Sequence, residues 1–395
     1  MIGEVFYMKE KNLILLACAI VLLAFCMRAP FTVVGSVLTF INEDLHLSGS
    51  ASGMLTTVPV LCFAFLSLFV DGCNRRFGAG KLMLWAMLAM AAGILLRNVY
   101  STSGLFIGTI LIGAAIAVCN VMMPTLVKAF FPERLGLMTG IYTTAMSLVA
   151  GIGSSLSVAI AVNSGWKASL TVWIIPVVIA ILCWMPYRKT STALENQTKG
   201  LSLSFLFRSR TAWWAALYMG IQCMMYYCYV AWFPTILQQI VSAEMAGMLT
   251  SVYMFISIPA SFLTPIIADK MKNQSLLGVI IGVLYVIAMV SLMFCSNPIF
   301  LVLTFLCGGI CAGASFSYIL ALFAMHTKNA ADATSLSGFA QSVGNLIAAI
   351  GPALMGQLLD RTGSWTIPLG LLSVISVSLI ILGYLVGRNE IIAQE

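Results

Sequence analysis

Charge is what this sequence has least of. Only 8% of its 395 residues are charged, against 61% that are hydrophobic. Soluble domains carry roughly 25% charged residues, and 20 basic plus 13 acidic side chains are too few to build a water-facing surface for this length. A soluble enzyme, a nucleic-acid-binding protein and a disordered chain are therefore excluded. Histidine is scarce too, with two residues, His46 and His326. No Cys-x-x-Cys pair occurs. The 11 cysteines are odd in number and lie mostly in apolar stretches, for example Cys18, Cys26, Cys62, Cys119, Cys223, Cys228 and Cys307. A buried free Cys behaves as a small hydrophobe, so neither a disulfide framework nor a zinc site is expected, and no cofactor is implied. The P-loop pattern is also missing, which excludes ATP hydrolysis by this chain itself.

What the sequence does have is long apolar runs. A helix needs roughly 20 mostly apolar residues to cross the hydrocarbon core of a bilayer. Twelve stretches qualify, at about 13–41, 51–70, 81–99, 104–127, 136–161, 168–187, 211–236, 246–267, 276–295, 299–323, 333–358 and 367–387. The first residues read as a cytoplasmic tail, because the apolar run that follows is too long for a signal peptide and lacks a clear cleavage site. With that end inside, the inner segments hold 16 Lys and Arg and the outer loops three: Arg97, Lys167 and Arg361. The positive-inside rule makes this split a topology signal. It also accounts for most of the net charge of +7. Both termini are expected in the cytoplasm and the protein in the plasma (inner) membrane.

The two halves echo each other. Asp71 and Asp269, Gly140 and Gly338, Gly153 and Gly351, and Gly165 and Gly363 are each separated by 198 residues, and Trp166 and Trp365 by 199. A shared offset at equivalent points of a six-span half indicates duplication. Six spans return the chain to the same side, so the repeats are parallel. The basic stretch 188–210 falls at the join.

Within the predicted membrane interior acids are absent. Each of the 13 acidic residues falls in a tail, a loop or a span end. Proton-driven pumps generally use Asp, Glu or His relays within the membrane, so coupling through a buried mid-membrane carboxylate is disfavoured. Arg28 is the outlier. It lies about 15 residues into the first span, roughly 22 Å from the inner end at 1.5 Å per residue. A charge there is costly unless it meets a polar cavity or a partner. It could bond backbone carbonyls or reach the outer water boundary. With no predicted mid-membrane carboxylate, the favoured partner is a solute, and a guanidinium suits carboxylates, nitro groups and small linear anions. Pro30, two residues on, frees the carbonyl of Cys26 and loosens the helix.

Polar groups recur at similar depth in other spans. Asn120, Pro124 and Lys128 share a stripe of span four, although Lys128 also fits a positive-inside anchor. Span seven carries Gln222, Tyr226, Tyr227 and Trp232. Gln222 and Tyr226 share a face from which they could bond and stack on a small ligand, while Trp232 also suits an interfacial aromatic belt. Span eleven carries Gln341 and Asn345. Buried amides serve equally as helix–helix glue.

Several segments carry a family resemblance: MRAPFTVVG (27–35), NVMMPTLVKAFFPERLGLMTGIYT (120–143), YYCYVAWFPTIL (226–237) and LSGFAQSVGNLIAAIGPALMGQLLDRTGSW (336–365), with NRRFG (74–78) and GW (165–166). Along its whole length the chain resembles the major facilitator superfamily and, within it, the cyanate permease and 2-nitroimidazole transporter family. The resemblance implies an all-α polytopic membrane protein, with twelve transmembrane helices in two six-helix bundles around a central cavity, working by alternating access. On it, residues 1–188 form the first bundle, 189–210 a basic cytoplasmic linker and 211–395 the second bundle. Arg28 corresponds to the first-span Arg of the family, Asn120 to the Asn that precedes the span-four Pro, and Gln341 to the span-eleven AQSVG motif. Asn120 is more similar to the nitroimidazole branch. Gly344-Asn345 departs from the Gly-Tyr of many relatives. The superfamily loop motif survives as Asp71 with Arg75 and Arg76, and in the second half as Asp269 with Lys270. The signatures of proton-coupled multidrug export are missing from spans four and five.

The expected function is secondary active or facilitated transport of a small polar or anionic solute, such as a cyanate-like anion, a small carboxylate or a nitroimidazole-like compound. The expected solute contacts are Arg28, Asn120, Gln222, Tyr226, Tyr227, Trp232, Gln341 and Asn345. Asp71, Arg75, Arg76, Lys128 and Asp269 are expected to serve gating. Export of nitroaromatic or azole drugs is an alternative, and a transporter-like receptor is another from a different class. A membrane-embedded enzyme is disfavoured, since it would need clustered His, Asp, Glu or activated Cys in the membrane. The partners are a small-molecule solute and the bilayer, with no nucleic acid, and the chain is expected to act as a monomer.

Overall fold

The computed structural model describes residues 10–47, 49–99, 101–189, 200–388 and 390–392. Lys9 and Lys11 at the inner start of span one divide at this limit: Lys9 lies outside the described residues, as do Glu4 and the linker residues Glu195 and Lys199. The described residues are almost entirely helical. In chain order the helices are α1 (Glu10–Ser36), α2 (Leu38–Leu45), α3 (Gly49–Phe77), α4 (Ala79–Leu96), α5 (Thr102–Phe130), α6 (Leu135–Thr171), α7 (Ile174–Trp184), α8 (Leu203–Arg208), α9 (Arg210–Leu237), α10 (Ala243–Lys270), α11 (Ser275–Met293), α12 (Pro298–Met325), α13 (Ala330–Thr362) and α14 (Thr366–Val386).

Lipid offers no hydrogen bonds, so a spanning segment must satisfy its own backbone, and a helix does this within one segment. Several starts are set by local side chains. Ser101, Ser209 and Ser242 accept from the amides of Gly104, Ala212 and Met245, and Asn297 caps α12 ahead of Pro298. These are ordinary N-cap residue types, with Pro at the first helical position. Pro30, Pro59, Pro124, Pro234, Pro259, Pro265 and Pro352 lie inside helices, which membrane helices tolerate.

Ten stretches among the described residues are long and apolar enough to span a membrane. One of them, 132–188, is interrupted at Gly165, where φ is 82°, and so comprises two spans. Helix α9, with 28 residues, is long enough to be a further span though less apolar, giving the twelve expected. Gly363, the repeat partner of Gly165, also has a positive φ, 64°. Only glycine adopts that conformation without a steric penalty, which explains why this pair survives at the same offset.

The outside of the helices is apolar and the inside is mixed. Phe65, Phe69, Val162, Ile299 and Val374 are exposed, whereas Thr109, Gln222, Ser315, Gln341 and Asn345 are buried. This reverses the usual soluble pattern and matches a lipid surround.

The chain packs as two compact units. One holds the described residues up to Glu133, Leu148–Gly200 and Asn329–Gly338; the other holds Arg134–Ser147, Leu201–Lys328 and Phe339 onward. Each unit thus takes in one short piece from the other half of the sequence. The first turns of α13 pack in the first unit and the first turns of α6 pack in the second. In the first unit, a Cβ on Gly338 would lie 2.7 Å from the Ser67 carbonyl oxygen; in the second, a Cβ on Gly140 would lie 2.5 Å from that of Phe262. The two glycines, 198 residues apart, make equivalent close helix crossings.

Candidate functional site

In the first unit, Arg28 sits in the span Ile14–Ser36, 14 residues from one end and eight from the other. At 1.5 Å per residue these are about 21 Å and about 12 Å. Its side chain is half-buried. The turn that carries it is perturbed twice. Pro30 lies inside the helix and removes one backbone donor. Thr32 donates its Oγ1 hydrogen to the Arg28 carbonyl at 3.1 Å, a back-bond that often bends helices. Helix α5 runs alongside, with the buried thiols of Cys26 and Cys119 close enough to interact. Asn120 is half-buried and adjoins Cys119, so Arg28 and Asn120 lie within two residues of that pair on neighbouring helices.

Two turns further along α5 the same unit gathers a second polar group. The hydroxyls of Thr125 and Thr334 bond at 2.8 Å. Lys128 faces Asp332 electrostatically. Ser335 donates to Asp71 Oδ2 at 3.0 Å, and Arg75 pairs with the same oxygen at 3.4 Å. Asp71 Oδ1 has no hydrogen-bond partner. Three of the expected gating residues, Asp71, Arg75 and Lys128, are therefore gathered around the start of α13. Arg76 is not part of this group; it is exposed and lies over the Phe77 ring at 5.3 Å.

In the second unit the equivalent position is Asp269, whose Oδ2 accepts the Gly136 amide at 3.2 Å. Thr143 and Ser147 of α6 bond to Ser261 of α10 at 3.1 Å each. The Asp71 and Asp269 contacts thus repeat in the two units, each on the short piece that comes from the other sequence half.

The expected solute contacts of the second unit divide into two groups. Gln222 is 1% exposed. Its Oε1 accepts from Ser315 at 3.2 Å, Ser315 also bonds Tyr285 at 3.1 Å, and its Nε2 meets Cys223 Sγ at 2.9 Å. This joins α9, α12 and α11, the helix-bridging arrangement that the glue reading describes for Gln222. Trp232 donates Nε1–H to the Pro352 carbonyl at 3.0 Å, which ties α9 to α13, and packs on Trp365 at 5.5 Å. Tyr226 and Tyr227 remain half-buried, edge to face at 5.9 Å. Tyr227 Oη reaches Asn345 Oδ1 at 3.5 Å, and Asn345 donates to the Gln341 carbonyl at 2.7 Å. Gln341 and Asn345 are 2% and 3% exposed, and the Tyr227–Asn345 contact joins α9 to α13.

One buried cation escapes sequence reasoning. Arg97 is expected in an outer loop, but its side chain turns back into the first unit and is only 2% exposed. The signal was its position two residues inside the end of the apolar run 81–99, which reads equally as loop or helix end. Its partner Thr109 lies 12 residues on, beyond any local motif.

Three comparisons bear on this arrangement. The family model described as Major Facilitator Superfamily matches residues 20–348 and 221–391. The chain is 37% identical over 384 residues to the "Uncharacterized transporter YycB" of Bacillus subtilis strain 168, covering 96% of this chain and 95% of that one. It is 32% identical over 386 residues to the 2-nitroimidazole transporter of Escherichia coli K12 (97% and 98% covered) and 25% identical over 349 residues to the cyanate transport protein CynX of the same organism (88% and 90% covered). In fold it is similar to the solved structure of the proton:xylose symporter XylE, with a TM-score of 0.76 at 13% identity over 96% of this chain and 97% of that one.

Proposed function

The chain belongs to the major facilitator superfamily as a multi-pass membrane transporter related to the 2-nitroimidazole and cyanate transporters, and on that premise we propose that it moves a small polar or anionic solute across the plasma membrane by alternating access, with Arg28 as the cation that binds the solute. The observation that carries this reading is the placement of Arg28: a half-buried guanidinium well inside a membrane helix. Placing a cation there is costly, and the cost is offset when the group does work on an anion or a nitro group. Its planar fork gives two parallel donors to a carboxylate or nitro group and one strong contact to a linear anion.

The other contacts follow the same logic. Asn120, on the helix beside that of Arg28, supplies an amide that donates and accepts. Tyr226 and Tyr227 supply ring faces and hydroxyls, and Gln341 and Asn345 supply amides. Cyanate-like anions, small carboxylates and nitroimidazole-like compounds all match this set. The excess of Lys and Arg in the predicted inner segments supports cytoplasmic termini. The chain is proposed to act as a monomer, as a secondary active or facilitated transporter.

A binding screen tests the solute class. Purified protein is melted in the presence of cyanate, nitrate, small carboxylates, azoles or 2-nitroimidazole. A ligand of the folded state at 100 times its Kd stabilises by about 2.7 kcal/mol, so true ligands raise the melting temperature. A shift with neutral sugars but with none of these compounds would reject the anion and nitro reading.

A second reading, export of nitroaromatic compounds, is favoured by the 32% identity to a named 2-nitroimidazole transporter. It predicts that cells expressing the protein tolerate 2-nitroimidazole better than cells expressing an inactive variant. Unchanged or lower tolerance would reject export.

A further inference from the structure

Arg97 sits at the C-terminal end of α4, and its guanidinium is fully enclosed in the first unit. Nη1 donates to the Pro30 carbonyl at 2.7 Å, and Nε donates to Thr109 Oγ1 at 3.1 Å. Thr109 in turn donates to the Leu105 carbonyl at 2.7 Å. Nη2 is buried without a partner, and among the described residues no carboxylate is a hydrogen-bond partner of the group. Thr109 lies seven residues into α5, so the guanidinium is about 10 Å below the start of that helix. A buried Arg held by neutral acceptors alone is an expensive way to fill space. An apolar side chain would pack the same volume without desolvating a charge.

The target of that charge is informative. Pro30 follows Arg28 by two residues, which places the two about 200° apart around the helix at 3.6 residues per turn. Arg97 therefore grips α1 on one side while Arg28 projects from the other. The gripped turn is also perturbed twice. Pro30 has removed one ladder bond, and the Thr32 hydroxyl competes for the Arg28 carbonyl. A charge-assisted bond to the Pro30 carbonyl is an external support for that turn. The neighbouring helices hold the support in place: a Cβ on Gly108 would lie 2.8 Å from Arg97 Cγ and 2.5 Å from the Gly93 carbonyl oxygen. Close packing of α4 on α5 thus directs the Arg97 side chain toward α1.

We propose that Arg97 is a positioning residue for Arg28: by holding the Pro30 carbonyl it fixes the turn of α1 that presents Arg28 to the solute. The proposal rests on the reading of Arg28 as the solute-binding cation, so its test has one arm that needs no solute. Hydrogen–deuterium exchange is compared on the full-length protein for wild type, Arg97→Lys, Arg97→Met and Thr109→Val. In Arg97→Met, exchange of the amides at 31–36 is expected to rise about tenfold, with α4 and α5 changed less than about twofold, because only the local opening of that turn becomes easier. Arg97→Lys keeps one donor but not the fork and falls between the two. Thr109→Val shifts the same amides in the same direction by less. Unchanged exchange at 31–36, or an equal rise across α1, α4 and α5, would overturn the proposal.

The second arm is flux in proteoliposomes with cyanate and, separately, 2-nitroimidazole. Misplacement of a binding group by about an ångström costs up to about 100-fold. Arg97→Met is expected to raise KM about tenfold with kcat within about twofold, and to add nothing in an Arg28→Lys background, where the group it positions has already been changed. Equal effects of Arg97→Met in both backgrounds would overturn the link to Arg28. If wild type carries neither probe, it is the proposed function that fails, and the exchange arm still decides the role of Arg97.

Discussion

Gln222→Leu separates packing from solute binding more cleanly than any other change in the second unit. The native amide is 1% exposed, and its Oε1 accepts from Ser315 at 3.2 Å. Leucine fills a similar volume and removes that acceptor. Ser315 is not stranded, because its hydroxyl also bonds the Cys311 carbonyl at 2.7 Å and Tyr285 at 3.1 Å. The loss is therefore one interhelical hydrogen bond, about 0.6 kcal/mol on average within membranes and up to about 1.7. The contacts of Nε2 with Cys223 and Met219 sulfurs involve weak acceptors and add little. The assay is a double-mutant cycle of Gln222→Leu and Ser315→Ala, read by unfolding of the purified protein in detergent. A coupling of about 0.6–1.7 kcal/mol is expected. Alongside it, KM for any transported probe should stay within about twofold of wild type, because a group removed from packing alone leaves solute binding intact. A KM raised about tenfold with unchanged stability would refute this and return Gln222 to the binding set.

Three further outcomes follow from the geometry. Asp71→Ala removes the buried acceptor of Ser335 at 3.0 Å and should lower stability by about 1.5–3 kcal/mol, as for a hydrogen bond to a charged group. Arg75→Ala breaks only a pair whose basic side chain is 52% exposed and should cost at most about 1 kcal/mol; thermal melts ranking Arg75→Ala as the worse variant would contradict this. Gly338→Ala pushes a methyl to 2.7 Å from the Ser67 carbonyl oxygen, a backbone contact that must move, so an overpacking loss of about 1–3 kcal/mol is expected, and a melting temperature equal to wild type would show the crossing to be slack. Trp232→Phe keeps the ring against Trp365 but loses the bond to the Pro352 carbonyl; it should lose about 1 kcal/mol without a change in KM, and a KM rise would mark Trp232 as a solute contact.

The architecture was readable in the sequence because bilayer physics leaves few options. Apolar runs of spanning length must be helices, and the 198-residue offset marks pairs that do the same mechanical work in both halves. Gly165 and Gly363 share a positive φ, and Gly140 and Gly338 share a close crossing. One span was less visible by hydropathy: α9 holds four Tyr and three Trp along with Gln222, and it was legible through the polar residues it carries. The depth of Arg28 in its span was also legible, since position along a helix translates directly into distance. The hydrogen-bond partners of Gln222 and Trp232 were not. A buried amide or indole has the same spacing on a helix whether it bonds a neighbour or a ligand, and only the position of Ser315, 93 residues away, or of Pro352, 120 residues away, decides. Arg97 was misplaced for a related reason. A residue at a span end can point to water or fold back, and its acceptors, Pro30 and Thr109, lie on two other helices. The gathering of Asp71, Ser335, Lys128 and Asp332 likewise joins residues some 200 or more positions apart, which no local pattern records.

The central claim is that Arg28 binds the solute. Uptake of labelled cyanate and of labelled 2-nitroimidazole into proteoliposomes is measured for wild type, Arg28→Lys and Arg28→Ala, with equal insertion verified for each. Removing a charge that faces an ionic or strongly polar ligand in a dry site costs about 2–5 kcal/mol, or at least about 30-fold in kcat/KM. The account predicts that loss for Arg28→Ala, with Arg28→Lys intermediate because a single ammonium replaces the fork. Flux by Arg28→Ala at the wild-type kcat/KM would contradict it.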